Sequence, residues 1–266
     1  MASIAGGDRL RAWRAEVVQR YPHPGRGFTQ GLIVGTGSAP EAAVWESTGG
    51  YGQSELCRYR LGDLMPMRRA ELPPGMFGEG ICRVGAHIWQ LTWRERVALR
   101  WDARTLEPLE QVAFNREGWG ICAADGVVVT SDGSGELVVR DPATLSPREV
   151  IHVRCEGIRI LGLNDLAWPG GGGTIWANLA GTYLLAGIDP HSGEVTDVVD
   201  ARAAGERHRR DPQAIMNGIA ALPAGGFLLT GKTYRYLHHV RLVPVPARSG
   251  ARTIRRLIAG RGGLSV

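Results

Sequence analysis

Short apolar runs follow one another along the whole chain, separated by glycine-rich breaks. Residues 87–93 (HIWQLTW) and 127–131 (VVVTS) are of strand length, and a turn signal precedes each of them. Residues 149–153 (EVIHV) alternate between apolar and polar positions, which is typical of a half-buried strand. The pattern predicts an all-β chain with many tight turns.

The runs belong to five repeats with a common order of features. Each repeat opens on a polar or aromatic residue at the start of a short apolar strand, and a break and a second strand follow. These openings are FTQGLI (28–33), FGEGIC (77–82), GWGIC (118–122), LNDLA (163–167) and MNGIA (216–220). An Asp-based turn then recurs at residues 102–106, 141–145 and 189–193. Each repeat thus predicts four short strands over about 40 to 50 residues, the size of a propeller blade.

The expected fold is a five-bladed β-propeller with four-stranded blades, closed by an N-terminal strand near residues 16–20. One such sheet cannot bury both faces alone, and radial stacking against its neighbours solves this. A β-sandwich is the alternative, but five repeats with one order of features favour the propeller. We expect the 266 residues to form a single domain, with the propeller at about 14–244 and peripheral tails at 1–13 and 245–266.

The charge composition adds one informative position. The net charge is +5, and of the 31 basic residues only Lys232 is a lysine. The Arg-rich segment 202–210 is interpreted as a solvated loop rather than a nucleic-acid patch, so no nucleic-acid partner is expected.

For cellular location and oligomeric state, the sequence offers no specific signal, and we take the default expectations. No signal peptide and no run of about 18 apolar residues is visible, so we expect no membrane partner. We expect a monomer in the cytoplasm, or a secreted protein if the true start lies upstream. Cys82 and Cys122 occupy matching places in two repeats, which indicates small buried residues rather than a disulfide.

The candidate site lies where the five inner strands begin. The repeats place Gln30, Glu79, Trp119, Asn164 and Asn217 at one mouth of the central channel, which predicts a polar and aromatic pocket. Glu79 stands between two glycines, so a ligand can approach closely, and an enclosed carboxyl has a raised pKa suited to proton transfer. The alternative for Glu79 is a carboxylate that hydrogen-bonds neighbouring strands.

The same segments resemble a known family. The ordered motifs are FTQGL (28–32), ESTGGYGQS (46–54), FGEG (77–80), QLTW (90–93), GWG (118–120), SDGS (131–134), LND (163–165), IWAN (175–178), IDPHSG (188–193), NGIA (217–220) and TGK (230–232). Together they resemble the papaya-type plant and bacterial glutaminyl-peptide cyclotransferases over about residues 16–240. The resemblance implies a five-bladed propeller that converts the N-terminal glutamine of a peptide or protein to pyroglutamate and releases ammonia.

The resemblance also implies the site residues. Glu79 falls on the catalytic glutamate, and no metal site and no cofactor is implied for the step, while a structural divalent cation in the channel stays open. The remaining pocket positions fall on Gln30, Trp93, Trp119, Asn164 and Lys232.

The fourth repeat departs from the family pattern. Ala167 replaces a second carboxylate, Ala180 an aromatic residue and Tyr183 an acidic one. These changes suggest a wider pocket, another substrate or reduced activity. They keep open a non-catalytic propeller that binds peptides or small ligands in its channel. A metal-dependent lactonase-like hydrolase is a further alternative, with oxygen ligands from Glu79, Asn164 and Asn217.

Overall fold

The computed structural model describes residues 10–24, 27–36, 42–206 and 213–246. Here the chain forms β-strands, with a short 3-10 helix at Arg202–Ala204, so the all-β prediction is confirmed. The strands are β1 (Arg11–Pro22); β2 (Thr29–Val34), β3 (Ala43–Thr48), β4 (Glu55–Arg60), β5 (Arg68–Glu71); β6 (Gly78–Val84), β7 (His87–Thr92), β8 (Val97–Asp102), β9 (Pro108–Ala113); β10 (Ile121–Ala124), β11 (Val127–Ser131), β12 (Glu136–Arg140), β13 (Pro147–His152); β14 (Arg154–Cys155), β15 (Ile158–Arg159); β16 (Leu163–Ala167), β17 (Ile175–Leu179), β18 (Leu184–Ile188), β19 (Val195–Asp200); β20 (Met216–Ala221), β21 (Phe227–Gly231) and β22 (Tyr236–Val245).

The prediction of a five-bladed propeller with four-stranded blades is wrong. The described residues form one eight-stranded sheet, in the order β16-β17-β18-β19-β1-β22-β21-β20, and three four-stranded sheets, β2–β5, β6–β9 and β10–β13. A two-stranded sheet, β14–β15, follows the third of these. The fourth and fifth repeats therefore share one continuous sheet instead of forming two separate ones.

Strand β1 is the physical reason for the difference. The segment near residues 16–20 was expected to close the ring of repeats, and β1 does pair antiparallel with β22 of the last repeat, from Ala12 to Pro22. It also pairs in parallel with β19, from Arg11 to Arg14. Asp197 of β19 secures this edge, because its carboxylate accepts hydrogen bonds from Arg11 Nη2 and Trp13 Nε1, both at 2.7 Å. A strand that is hydrogen-bonded on both edges joins its two neighbours into one sheet.

The Asp-based turns predicted from the sequence are present between the third and fourth strands of three repeats. The carboxylates of Asp102, Asp141 and Asp189 each accept two backbone N–H groups from the residues two and three positions later. These hydrogen bonds lower the pKa of each carboxyl, since they favour the charged form. The turns set the length of the strands around them.

The first strands of the repeats position the site. Strand β2 contacts β6, β6 contacts β10, β10 contacts β16, β16 contacts β20, and β20 contacts β2 again. Five apolar side chains at equivalent places on these strands are buried: Leu32, Ile81, Ile121, Leu166 and Ile219. Cys82 and Cys122 follow two of them and are buried thiols outside any disulfide, as expected.

Two predictions fall partly outside the described residues. Of the Arg-rich segment 202–210, residues 207–210 lie outside them, and Arg202 forms an ion pair with Asp200. Of the two tails, residues 1–9 and 247–266 lie outside them, and β1 already begins at Arg11. The loop and single-domain interpretations stay predictions.

Candidate active site

Breaks in the strand register bring the predicted side chains together. In β6 the ladder pairs Gly78 with Thr92 and resumes only at Ile81 with Gln90, so Glu79 and Gly80 stand opposite a single residue. The same break lies around Gln30 in β2, around Asn164 in β16 and around Asn217 in β20. An extra residue in one strand bends it and redirects its side chains. Four polar residues therefore leave the ladder at the same end of adjacent strands.

Glu79 is buried at this end, with only 5% of its surface exposed. Its Oε1 accepts a hydrogen bond of 2.8 Å from Gln30 Nε2. Burial raises the pKa of the Glu79 carboxyl well above its usual 4.5, and the nearby Asp165 adds to this, while Lys232 and the bond from Gln30 oppose it. The carboxyl therefore keeps its proton to a higher pH than an exposed glutamate does.

Lys232 follows β21 and lies against the start of β2. An isolated bridge pairs it with Phe28, and its Nζ lies 4.6 Å from the centre of the Phe28 ring. Burial lowers the pKa of the Lys232 ammonium below its usual 10.5, although the charge of Glu79 partly restores it. Lys232, which is half-buried, thus lies between the first and last repeats, and its charge acts on the candidate acid Glu79.

Gln30 is held from its other side by Asn217. Asn217 Nδ2 donates 2.8 Å to Gln30 Oε1 and 3.2 Å to the Thr29 carbonyl oxygen. An amide whose oxygen accepts from Asn217 turns its nitrogen towards Glu79, so Asn217 fixes which end of Gln30 faces the carboxyl. The sequence places Asn217 at a repeat opening, but it was not among the predicted substrate-binding residues.

Glycines beside the site residues allow the first strands to approach each other. A methyl group at Gly31 would lie 2.6 Å from the Ile81 nitrogen, and one at Gly80 would lie 2.6 Å from the Trp119 carbonyl oxygen. That oxygen accepts a 2.8 Å hydrogen bond from Gly80 N. The GEG and GWG motifs therefore mark close backbone contact between repeats as well as the site.

Trp93 and Trp119 are half-buried and meet at one carboxylate. Glu117 Oε2 accepts from Trp93 Nε1 at 3.1 Å and from Trp119 Nε1 at 3.5 Å. The Arg94 guanidinium lies 3.9 Å from the centre of the Trp93 ring, and the Phe77 ring lies 5.4 Å from it at a tilt of 59°. The two predicted tryptophans thus share one hydrogen-bond acceptor, Glu117, which no motif of the sequence singled out.

Asn164 is buried on the first strand of the fourth repeat. Its carbonyl oxygen accepts 2.8 Å from Ser131 Oγ, and its side-chain Oδ1 has no hydrogen-bond partner among the described residues. Its neighbour Asp165 accepts from Ile219 N at 2.8 Å, and burial raises the pKa of Asp165 well above its usual value. The structure therefore leaves an amide oxygen of a predicted site residue unused by the protein.

The three fourth-repeat departures lie in different surroundings. Ala167 lines a cavity of about 170 Å³ at the opposite end of the first strands, together with residues such as Val34, Arg83 and Ala123. Tyr183 packs into the core between the fourth and fifth repeats, close to Gly205. Ala180 donates its backbone N–H to Gly162 O after β17. Of the three replacements, the one at Ala167 thus lies at the end of the first strands away from Glu79.

Two kinds of feature are absent from the described residues. No three His, Cys, Asp or Glu side chains come together there as candidate metal ligands. In the same part of the chain, no helix is long and apolar enough to span a membrane.

Known proteins are similar to this chain in sequence and in fold. The family model described as glutamine cyclotransferase matches residues 2–242. The chain belongs to the glutamine cyclotransferase family. A glutaminyl-peptide cyclotransferase of Arabidopsis thaliana is 28% identical over 242 residues, which cover 88% of this chain and 73% of that protein. A crystal structure of Myxococcus xanthus glutaminyl cyclase superposes with a TM-score of 0.80 and 31% identity, over 89% of this chain and all of that one.

The glutamine cyclotransferase membership confirms the resemblance found in the sequence. The structure adds a direct contact between two of the predicted positions, since Gln30 donates a hydrogen bond to Glu79, and the charge of Lys232 acts on the same carboxyl. Trp93 and Trp119 form a second group around Glu117, and Asn164 lies on a neighbouring strand. The roles of these residues stay predictions.

Proposed function

We propose that this chain is a glutaminyl-peptide cyclotransferase in which Glu79 moves the proton. The substrate is the N-terminal glutamine of a peptide or protein, and the products are the pyroglutamyl chain and ammonia. The observation that carries the role of Glu79 is its buried carboxyl, held by Gln30 beside the Lys232 cation. A carboxyl with a raised pKa both takes up and returns a proton near neutral pH.

The proton route follows from this placement. The substrate reacts as the free α-amine, which attacks the side-chain amide carbon of the same glutamine. As the C–N bond forms, the Glu79 carboxylate takes one proton from the α-nitrogen, which keeps the other as the ring N–H. The bond to the amide nitrogen then breaks, and Glu79 gives the proton to that nitrogen, which leaves as ammonia. Holding both reacting groups in one pocket removes much of the entropic barrier.

The other predicted residues support charge and orientation. Lys232, as a half-buried cation, stabilises the negative charge that develops on the amide oxygen. The side-chain oxygen of Asn164, which has no partner among the described residues, is suited to accept a hydrogen bond from the substrate. Gln30 is engaged at both ends, so we assign it to holding Glu79. Trp93 and Trp119 supply the aromatic walls. Proton transfer and charge stabilisation both come from side chains, and we expect the step to need no cofactor.

The test is mass spectrometry of a short peptide with N-terminal glutamine, incubated with the wild-type protein and with Glu79→Gln. We expect loss of one ammonia well above the spontaneous blank with the wild type. Glu79→Gln keeps the shape but cannot take up a proton, so the rate should fall about 100- to 10,000-fold. Glu110→Gln is the matched control, because Glu110 lies on β9 and pairs with Arg100.

A peptide with N-terminal asparagine serves as the substrate control, since its shorter side chain would close a strained four-membered ring. Wild-type turnover no faster than the blank, over several glutamine peptides, would overturn the activity. Full activity of Glu79→Gln would overturn only the role of Glu79. Treatment with a chelator should leave the rate unchanged if no metal takes part.

A further inference from the structure

One carboxylate oxygen lies between the two site tryptophans. Glu117 stands between β9 and β10, two residues before Trp119, and its side chain is 42% exposed. Its Oε2 accepts both indole N–H groups, at 3.1 Å from Trp93 and 3.5 Å from Trp119. Its Oε1 faces Arg94 Nε at 3.8 Å, a distance that makes only a weak ion pair at this exposure.

Each indole is also covered on one side. The Arg94 guanidinium lies over the ring of Trp93. Trp119 lies so close to Gly133 that a methyl group there would approach its ring to 2.7 Å. Contacts of this kind act on the ring atoms and leave the N–H group of the indole without a partner. The hydrogen bond to Glu117 is the contact that holds this N–H group in place.

We infer that Glu117 is a positioning residue that sets the separation and angle of the two tryptophan walls. Because both indole N–H groups donate to one oxygen, neither ring turns without lengthening its hydrogen bond to that oxygen. Binding in the pocket depends on these walls, so Glu117 governs how well the substrate chain is held. This inference rests on the proposed function, but the anchoring of the indoles is a property of the free protein.

The geometry requires an acceptor atom and not a negative charge. In Glu117→Gln the amide oxygen takes the place of Oε2 and accepts both indole N–H groups. The amide nitrogen then faces Arg94, and only the weak ion pair is lost. In Glu117→Leu the side chain has similar volume but no acceptor, and both indoles lose their anchor.

The experiment compares Glu117→Gln, Glu117→Leu and Arg94→Gln with the wild type. KM and kcat are measured with a glutamine peptide, and the near-ultraviolet circular dichroism of the tryptophans is recorded without substrate. We expect Glu117→Leu to raise KM about tenfold or more and to weaken the tryptophan signal. Glu117→Gln should stay within about threefold of the wild type on KM and keep the signal. Arg94→Gln should resemble Glu117→Gln.

The outcomes separate the possible roles. Equal defects in Glu117→Gln and Glu117→Leu would overturn the acceptor role in favour of charge. Wild-type KM and dichroism in Glu117→Leu would overturn any positioning role. If Glu117→Leu does not fold, Glu117→Gln and Arg94→Gln still decide, because a charge role predicts that both are impaired. An inactive wild type would count against the proposed function, whereas the dichroism would still test the anchor.

Discussion

At the scale of single residues, Glu79 and Lys232 determine how the site responds to pH. Burial acts on both in opposite directions, because it raises the pKa of the carboxyl and lowers the pKa of the ammonium. Their attraction opposes each shift but does not cancel it. The two groups therefore titrate closer to neutral pH than exposed side chains of the same type.

We predict a bell-shaped pH profile of kcat/KM. Activity should rise with pH as Glu79 loses its proton, well above 4.5, and fall as Lys232 loses its own, below 10.5. In Lys232→Arg the guanidinium keeps its proton over this range, so the alkaline limb should move upwards while the acidic limb stays.

The pH–rate profiles of wild type and Lys232→Arg with one peptide test this. The substrate amine titrates identically with both proteins, so a difference in the alkaline limb belongs to residue 232. Coincident alkaline limbs would mean that Lys232 does not set the limb. A shift of the acidic limb in Lys232→Arg would mean that residue 232 acts mainly by changing the pKa of Glu79.

Residue types predicted much of this site but not its supporting contacts. Lys232 stood out because it is the single lysine in an arginine-rich chain, and Glu79 because it lies between glycines. Glu117 and Asn217 act through hydrogen bonds to other side chains. A bond of that kind depends on where two loops or strands meet, which no local pattern shows.

At the scale of the elements, register breaks turn ordinary inner strands into a site. In β6, β16 and β20, two residues face one residue on the second strand of the repeat. The sequence predicted the strands from their apolar runs, and it marked each break only by a polar residue before glycine or aspartate. Register itself depends on pairing across the hairpin, so it was not predicted.

Strand β20 offers a test of this placement through Asn217→Ala. The variant removes the donor that orients Gln30, so Nε2 of Gln30 is no longer held towards Glu79. We expect kcat to fall about tenfold and stability to fall by about 1 kcal/mol, as for the loss of one hydrogen bond. Kinetics with a glutamine peptide and urea unfolding measure the two effects.

The matched control for Asn217→Ala is Asn178→Ala in β17. Asn178 is also buried, and neither atom of its amide has a hydrogen-bond partner among the described residues. The control removes the same atoms without touching Gln30, so it should keep kcat. Equal kcat in both variants would show that Asn217 does not orient the site.

At the scale of the whole molecule, the ends of the chain close the ring of first strands. The repeats were visible in the sequence, and so was the strand that pairs with β22. The parallel pairing of β1 with β19 was not, because it depends on Asp197 binding Arg11 and Trp13 across the sheet. Cellular location and oligomeric state were also predicted by default, and both stay predictions.

A buried ion pair reinforces the closure between the first and last repeats. Glu46 Oε1 accepts from His23 Nε2 at 2.8 Å and from Thr29 Oγ1 at 2.6 Å, and Glu46 Oε2 accepts from the Tyr59 hydroxyl at 3.0 Å. His23 Nδ1 lies 2.9 Å from the Tyr234 carbonyl oxygen and donates to it when the ring is protonated. The cluster thus links the segment after β1 to both ends of the ring.

Burial opposes the charge on both partners, yet their attraction and hydrogen bonds prevail. The pKa of His23 is raised above 6.5 and that of Glu46 is lowered below 4.5. The stability that His23 contributes is complete below 6.5 and is lost as pH rises through its raised pKa. The stability that Glu46 contributes is present above 4.5 and is lost as pH falls through its lowered pKa.

We therefore predict that His23→Gln costs most stability between about pH 4.5 and 6.5. Glutamine cannot carry the positive charge, and removing one partner of a buried pair costs about 3 to 5 kcal/mol. Urea unfolding of wild type and variant across this range and up to about pH 9 measures the difference, which should shrink as pH rises through the pKa of His23. His191→Gln, at an exposed turn, is the control. If the difference in unfolding free energy between wild type and His23→Gln does not change with pH, His23 acts as a neutral hydrogen-bonding group. The charge of His23 then does not stabilise the closure of the ring.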